Sequence, residues 1–277
     1  MNKEKTGVNK INSLAAQRPL LFGVVVTSVF VLMVLISAIV VGLIWPAETP
    51  GWFIGSTIGR LFSTFILLVA LSGLGWLRSA GFTRLGRWQM WLSSLLALAY
   101  AIVASAYAMT GTLDFNLSDA TWTGLVTVFL LAHAFLEEAT FRGLILHGFV
   151  RTWGSTNRGL VQSVLVSALY FGGMHLIYLT GEPLSVVFWR MVTASLLGIL
   201  FAALVLRGSS IYPAVFLHGF LNLGGYLNLT SNAVEGTTAS WLRLSLFILP
   251  LALYGFYFLH DLSRQSNLPM SHQYPAR

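Results

Sequence analysis

Residues 20–44 read LLFGVVVTSVFVLMVLISAIVVGLI, a run of about 25 residues without a single charge. As an α-helix it extends about 37 Å at 1.5 Å per residue, more than the ~30 Å of a hydrocarbon core. A signal-peptide apolar region is shorter and ends in small residues that permit cleavage; neither feature is found here, so the run reads as a membrane anchor. Working outward, similar runs recur over residues 52–77, 88–109, 121–146, 159–179, 185–206, 211–229 and 241–260. The pattern predicts an all-α, polytopic membrane protein of about eight spans. The shorter, alternating segments of a membrane β-barrel are absent from the sequence.

Composition agrees. Of 277 residues, 56% are hydrophobic and 9% are Asp, Glu, Lys or Arg, against roughly a quarter charged in soluble domains. The absence of cysteine removes disulfides, thiolate metal sites and a cysteine nucleophile from consideration. The net charge of +7 would suggest nucleic acid in a soluble protein, but its distribution here sets orientation, and no nucleic-acid partner is expected. Lys3, Lys5, Lys10 and Arg18 lead the first span; Glu48 follows it; Arg78, Arg84 and Arg87 follow the second. The alternation continues through Asp114 and Asp119, Arg151 and Arg158, Glu182, Arg207 and Glu235, ending with Asp261, Arg264 and Arg277. By the positive-inside rule both termini are cytoplasmic in the cell membrane. Residues 1–19 and 261–277 then form short polar tails, expected to be mobile, around a transmembrane domain at 20–260. Tryptophans 45, 52, 76, 88, 122, 153 and 241 fall at proposed span ends, where interfacial belts place them.

Ionisable residues inside the spans need a reason, since each costs about 2.5–3.5 kcal/mol near the bilayer centre. They are Arg60, His133, Glu137, Glu138, Arg142, His175, Arg190 and His218. Glu138 and Arg142 share a helix face in the favourable acid-before-base order, so Arg142 neutralises Glu138. Glu137 projects about 100° away and has only His133 at helical spacing; it is the unpaired carboxylate. Phe171 and His175 share a face, interleaved with Gly172 and Gly173, which permit close helix approach or a break. His218 and Asn222 share another. Arg60 and Arg190 lie near the outer ends of their spans and are expected to snorkel. His147, His260 and His272 lie at ends or in a tail and are given no role.

At these residues the chain resembles the CPBP family of intramembrane proteases, the bacterial and archaeal relatives of the CAAX-processing endopeptidases. Glu137-Glu138-Ala-Thr-Phe-Arg142 fits EExxxR, Phe171-Gly-Gly-Met-His175 fits FxxxH, and His218-Gly-Phe-Leu-Asn222 fits HxxxN. The resemblance covers about residues 120–228. It implies an endopeptidase acting on a membrane-associated or prenylated-like peptide. Glu137 is the general base toward water, Glu138 beside it in the motif is counted among the catalytic residues, and His175 and His218 hold that water. Asn222 offers an NH₂ donor to the oxyanion, and Arg142 and Phe171 give structural support. His175, His218 and Glu137 match a catalytic zinc set in number and type, yet there is no HExxH, and a metal-free glutamate mechanism is the option favoured. Two other readings stay open: a proton-coupled transporter, weakened by the absence of an inverted repeat, and a non-catalytic membrane protein of the same fold serving as an immunity or scaffold component.

Overall fold

A computed structural model describes residues 2–109, 119–230 and 244–265. The expectations for Asp114, Glu235, Trp241 and the tail from residue 266 onward lie outside the described residues. Among the described residues the chain is all-helical, as expected. Helix α1 (Asn2–Gln17) and α2 (Pro19–Gly42) are separated at Arg18, and Pro19 begins α2, where its missing N–H costs nothing. Thr49 caps α3 (Pro50–Gly73), its hydroxyl accepting from Trp52 N at 3.3 Å. Then follow α4 (Trp88–Met109) and α5 (Ala120–Glu138), the latter capped by Asp119. From α5 the rod continues through π-type turns at Ala139–Leu146 into α6 (His147–Trp153), making one span of 34 residues. The capped α7 (Asn157–Gly173) tightens into 3₁₀ turns at Met174–Thr180. After it come α8 (Leu184–Gly208), α9 (Tyr212–Thr230), π-type turns at Leu244–Ile248 and α10 (Leu249–Gln265).

Among the described residues, a helix occupies most of each expected stretch. Six of the described ones are long and apolar enough to cross a membrane: Pro19–Gly42, Pro50–Gly73, Ala120–Trp153, Asn157–Thr180, Leu184–Gly208 and Leu246–Arg264. Helix α4 contributes a shorter apolar stretch, Trp88–Ala104, and α9 is not in this set. Large apolar side chains such as Val24, Leu32, Ile36 and Ile39 on α2, and Ile58, Phe62 and Phe65 on α3, point outward, as lipid-facing surface does. The chain is an integral membrane protein.

The C-terminal half of helix α8 forms the centre: Ile199 to Val205 are all buried, so this part is enclosed on every side rather than amphipathic. Its backbone is approached closely from both flanks. A Cβ at Gly172 on α7 would stand 2.0 Å from Ser195 Oγ, and one at Gly255 on α10 would stand 2.7 Å from Leu200 Cα. Gly219 brings α9 onto Leu131 of α5 in the same way.

Two expectations change here. Residues 2–17, read as a polar tail, are helical; Ala15 is buried and its carbonyl accepts from Thr152 Oγ at 3.1 Å, which ties α1 to α6. Trp76, read as an interfacial ring, is buried, packing edge-on against Phe22 and His147. His147 itself is buried and sits 3.0 Å from Ser79 Oγ.

Candidate active site

The site begins where α5 changes pitch. The π-type turns at Ala139–Leu146 follow directly on Glu137 and Glu138, and such turns break the regular i→i−4 ladder, often at functional positions. Side chains take up carbonyls along the segment: Ser167 Oγ on α7 donates to Phe141 O at 3.0 Å, and Thr140 Oγ1 to Leu136 O at 2.9 Å.

Glu138 is fully buried, and its Oε1 lies 3.0 Å from Arg142 Nη1, the pair expected from helical spacing. Arg142 Nη2 also donates to Gly198 O at 3.2 Å, and the guanidinium lies over the rings of Phe171 and Phe201, 4.4 and 5.2 Å from their centroids. Phe171 thus supports the arginine that neutralises Glu138. The same Glu138 Oε1 is 2.9 Å from His218 Nδ1, and the other nitrogen of that ring, Nε2, is 3.3 Å from Glu137 Oε2. His218 therefore bridges both glutamates, stacked on Phe201 with ring centroids 4.8 Å apart.

Glu137 is not without partners. Besides His218, its Oε1 is 3.2 Å from His133 Nε2. His133 in turn accepts from Arg60 Nε at 3.1 Å. Arg60, expected to snorkel, is instead buried, with Nη1 bonded to Ser56 O at 3.2 Å and the guanidinium 4.6 Å above Phe129. Snorkelling is precluded because α5 packs over this part of α3 and offers a nitrogen acceptor. Arg190 is half-exposed; its Nη2 binds both carboxylate oxygens of Glu182 at 2.7 and 2.9 Å and the guanidinium lies over Tyr178.

His175 stands just past the end of α7, in the 3₁₀ turns, because the helix is interrupted after Gly172 and Gly173. Its Nδ1 lies 3.0 Å from Phe171 O. A carbonyl only accepts, so Nδ1 carries the hydrogen and neutral His175 presents a bare Nε2. Phe171 meets the edges of both His175 and His218, at centroid distances of 5.6 and 5.5 Å. Glu137 thus lies within 3.3 Å of a ring nitrogen of both His133 and His218. Asn222 is half-buried one turn beyond His218, and its carboxamide bonds to no described residue.

The proposed metal ligands do not converge. Among the described residues no three His, Asp or Glu side chains form a metal-holding cluster. Both nitrogens of His218 and both oxygens of Glu137 already face each other or another neighbour. The set does not fit a metal as arranged, and no step below uses one. Sequence reasoning missed Arg60, whose contact spans 73 positions, and it left His133 open although the four-residue spacing to Glu137 was its signal.

A buried Glu/His/Arg constellation on the helices of a polytopic membrane protein defines the class. Residues 119–224 match the model of a protein family described as Type II CAAX prenyl endopeptidase Rce1-like. The match includes all three motifs and excludes Arg60. Comparison with curated proteins gives no match, and comparison with solved structures gives none.

Proposed function

We propose that the protein is a membrane-embedded endopeptidase that hydrolyses a peptide bond of a membrane-associated substrate, using water activated by Glu137. The observation that carries this reading is the contrast between adjacent carboxylates: Glu138 faces a guanidinium as well as His218, whereas Glu137 faces imidazoles alone. Glu138 is thereby committed to structure and Glu137 is left to exchange protons. Water adds its oxygen to the scissile carbonyl carbon and gives its proton to Glu137. As the C–N bond breaks, Glu137 returns that proton to the leaving amine. The bare Nε2 of His175 accepts from the same water and orients it. His218 stands between the two carboxylates, one ring nitrogen toward each. Asn222 donates to the oxyanion. The family description supports a prenylated peptide as substrate, and the charge alternation supports cytoplasmic termini in the cell membrane.

The test uses the full chain in nanodiscs with internally quenched peptides, with and without a prenyl chain. Glu137→Gln is expected to lower turnover by about 10² or more in protein that inserts and elutes normally. Turnover by well-folded Glu137→Gln at the wild-type rate would move the base elsewhere.

A further inference from the structure

We propose that Arg60 and His133 form a positioning dyad that fixes one imidazole tautomer and thereby holds the Glu137 carboxylate in a single orientation. Arginine carries donors and no acceptor. Its Nε–H, 3.1 Å from His133 Nδ1, therefore requires that nitrogen to be bare. His133 is then neutral, with its one N–H on Nε2, 3.2 Å from Glu137 Oε1. The opposite tautomer fails at both ends at once. Nδ1–H would meet the guanidinium donor, and the Nε2 lone pair would meet a carboxylate oxygen. One cation thus determines what Glu137 receives without touching it, as outer partners orient ligands in metal sites.

The dyad is braced rather than loose. Arg60 Nη1 is tied to Ser56 O at 3.2 Å, the guanidinium lies 4.6 Å from the Phe129 centroid, and the His133 ring is within 7° of parallel to that same ring. Arg60 is 8% exposed, so water competes little for its donors. Oε1 of Glu137 is occupied by His133, which directs the remaining lone pairs of the carboxylate toward the His218 side. Arg60 comes from α3, outside the matched residues 119–224, so the dyad recruits a further helix to the site. Its kinetic consequence rests on the peptidase reading; its tautomer does not.

The experiment is nitrogen-15 NMR of histidine-labelled full chain in nanodiscs, with His133→Gln to assign the His133 resonances. Wild-type His133 is expected to be neutral with its hydrogen on Nε2. Arg60→Met should give mixed tautomers, and Arg60→Lys, which keeps a cationic donor, should restore the single one. In turnover assays Arg60→Met should lower kcat roughly tenfold with KM little changed, and Arg60→Lys should recover most of that loss. A hydrogen on Nδ1 of wild-type His133, a doubly protonated ring, or an unchanged tautomer in Arg60→Met would overturn the dyad. Should Arg60→Met fail to fold, wild type and Arg60→Lys decide the matter. The expected tautomers in a protein without peptidase activity would refute the proposed reaction and leave the dyad supported.

Discussion

Replacing Glu138 with glutamine measures what it costs to leave Arg142 without its anion. The pair is 3.0 Å apart with side chains 1% and 0% exposed, and removing one partner of such a pair costs about 3–5 kcal/mol. Arg142 retains Gly198 O and the faces of Phe171 and Phe201, which offset about 1 kcal/mol. The net expectation is a loss of about 2–4 kcal/mol, or roughly 5–15 °C in the melting midpoint for a chain of this size. Adding Arg142→Gln removes the stranded charge and should recover more than half of the loss. Glu137→Gln should cost less than Glu138→Gln, because no guanidinium contacts Glu137. Activity per folded molecule should rank the other way, with the Glu138 variant above the Glu137 variant. Tryptophan fluorescence melts in detergent, paired with turnover, read both quantities. A Glu138→Gln midpoint within about 2 °C of wild type, or a double variant no better than the single, would refute the assignment of Glu138 and Arg142 to structure.

Two further outcomes follow, one from the charge alternation of the sequence and one from helix packing. In this cysteine-free chain, cysteines replacing Asp114 and Glu182 should label from outside the cell, and those replacing Arg84 and Ser155 should not; the reverse would invert the proposed orientation. Gly172→Val should cost about 1–3 kcal/mol or more, since its Cβ would meet Ser195 Oγ at 2.0 Å and Met191 O at 2.6 Å. Gly173→Ala meets nothing within 4 Å, so it should be neutral or stabilise by up to about 1 kcal/mol. Equal effects of the two in the same melts would refute the close approach of α7 and α8.

What the sequence made legible was whatever lies within one helical turn. The Glu138–Arg142 pair, the proximity of His133 to Glu137 and the break after Gly172 and Gly173 are all local, and the structure contains each. The bridging of both glutamates by His218 depends on how α9 meets α5, across 80 positions, and no local pattern encodes that. The π-type turns after Glu138 were illegible for a different reason. Residues 139–146 mix good helix formers with weaker ones such as Thr140 and Gly143, as many helices do, and the change of pitch goes with tertiary contacts such as the bond from Ser167 to Phe141 O. Trp76 and Arg60 misled because interfacial and snorkelling readings assume that a span end faces lipid, and here both ends are covered by other helices.

Arg60 also answers a question that the sequence left standing: how an intramembrane carboxylate without a basic partner on its own helix is tolerated. The pair of Glu138 and Arg142 cancels within itself, so Glu137 alone would leave a formal charge of −1 in a medium that penalises each buried charge by about 2.5–3.5 kcal/mol. Arg60 supplies the compensating cation from α3, and His133 keeps it one imidazole away from the carboxylate. A guanidinium in direct contact would pair with Glu137 as Arg142 pairs with Glu138. Separation by a neutral ring that accepts from one side and donates to the other balances the charge while leaving Glu137 between imidazoles. Two identical side chains in adjacent positions thus acquire different surroundings from the distance of their arginines: 3.0 Å for Glu138, and one intervening histidine for Glu137.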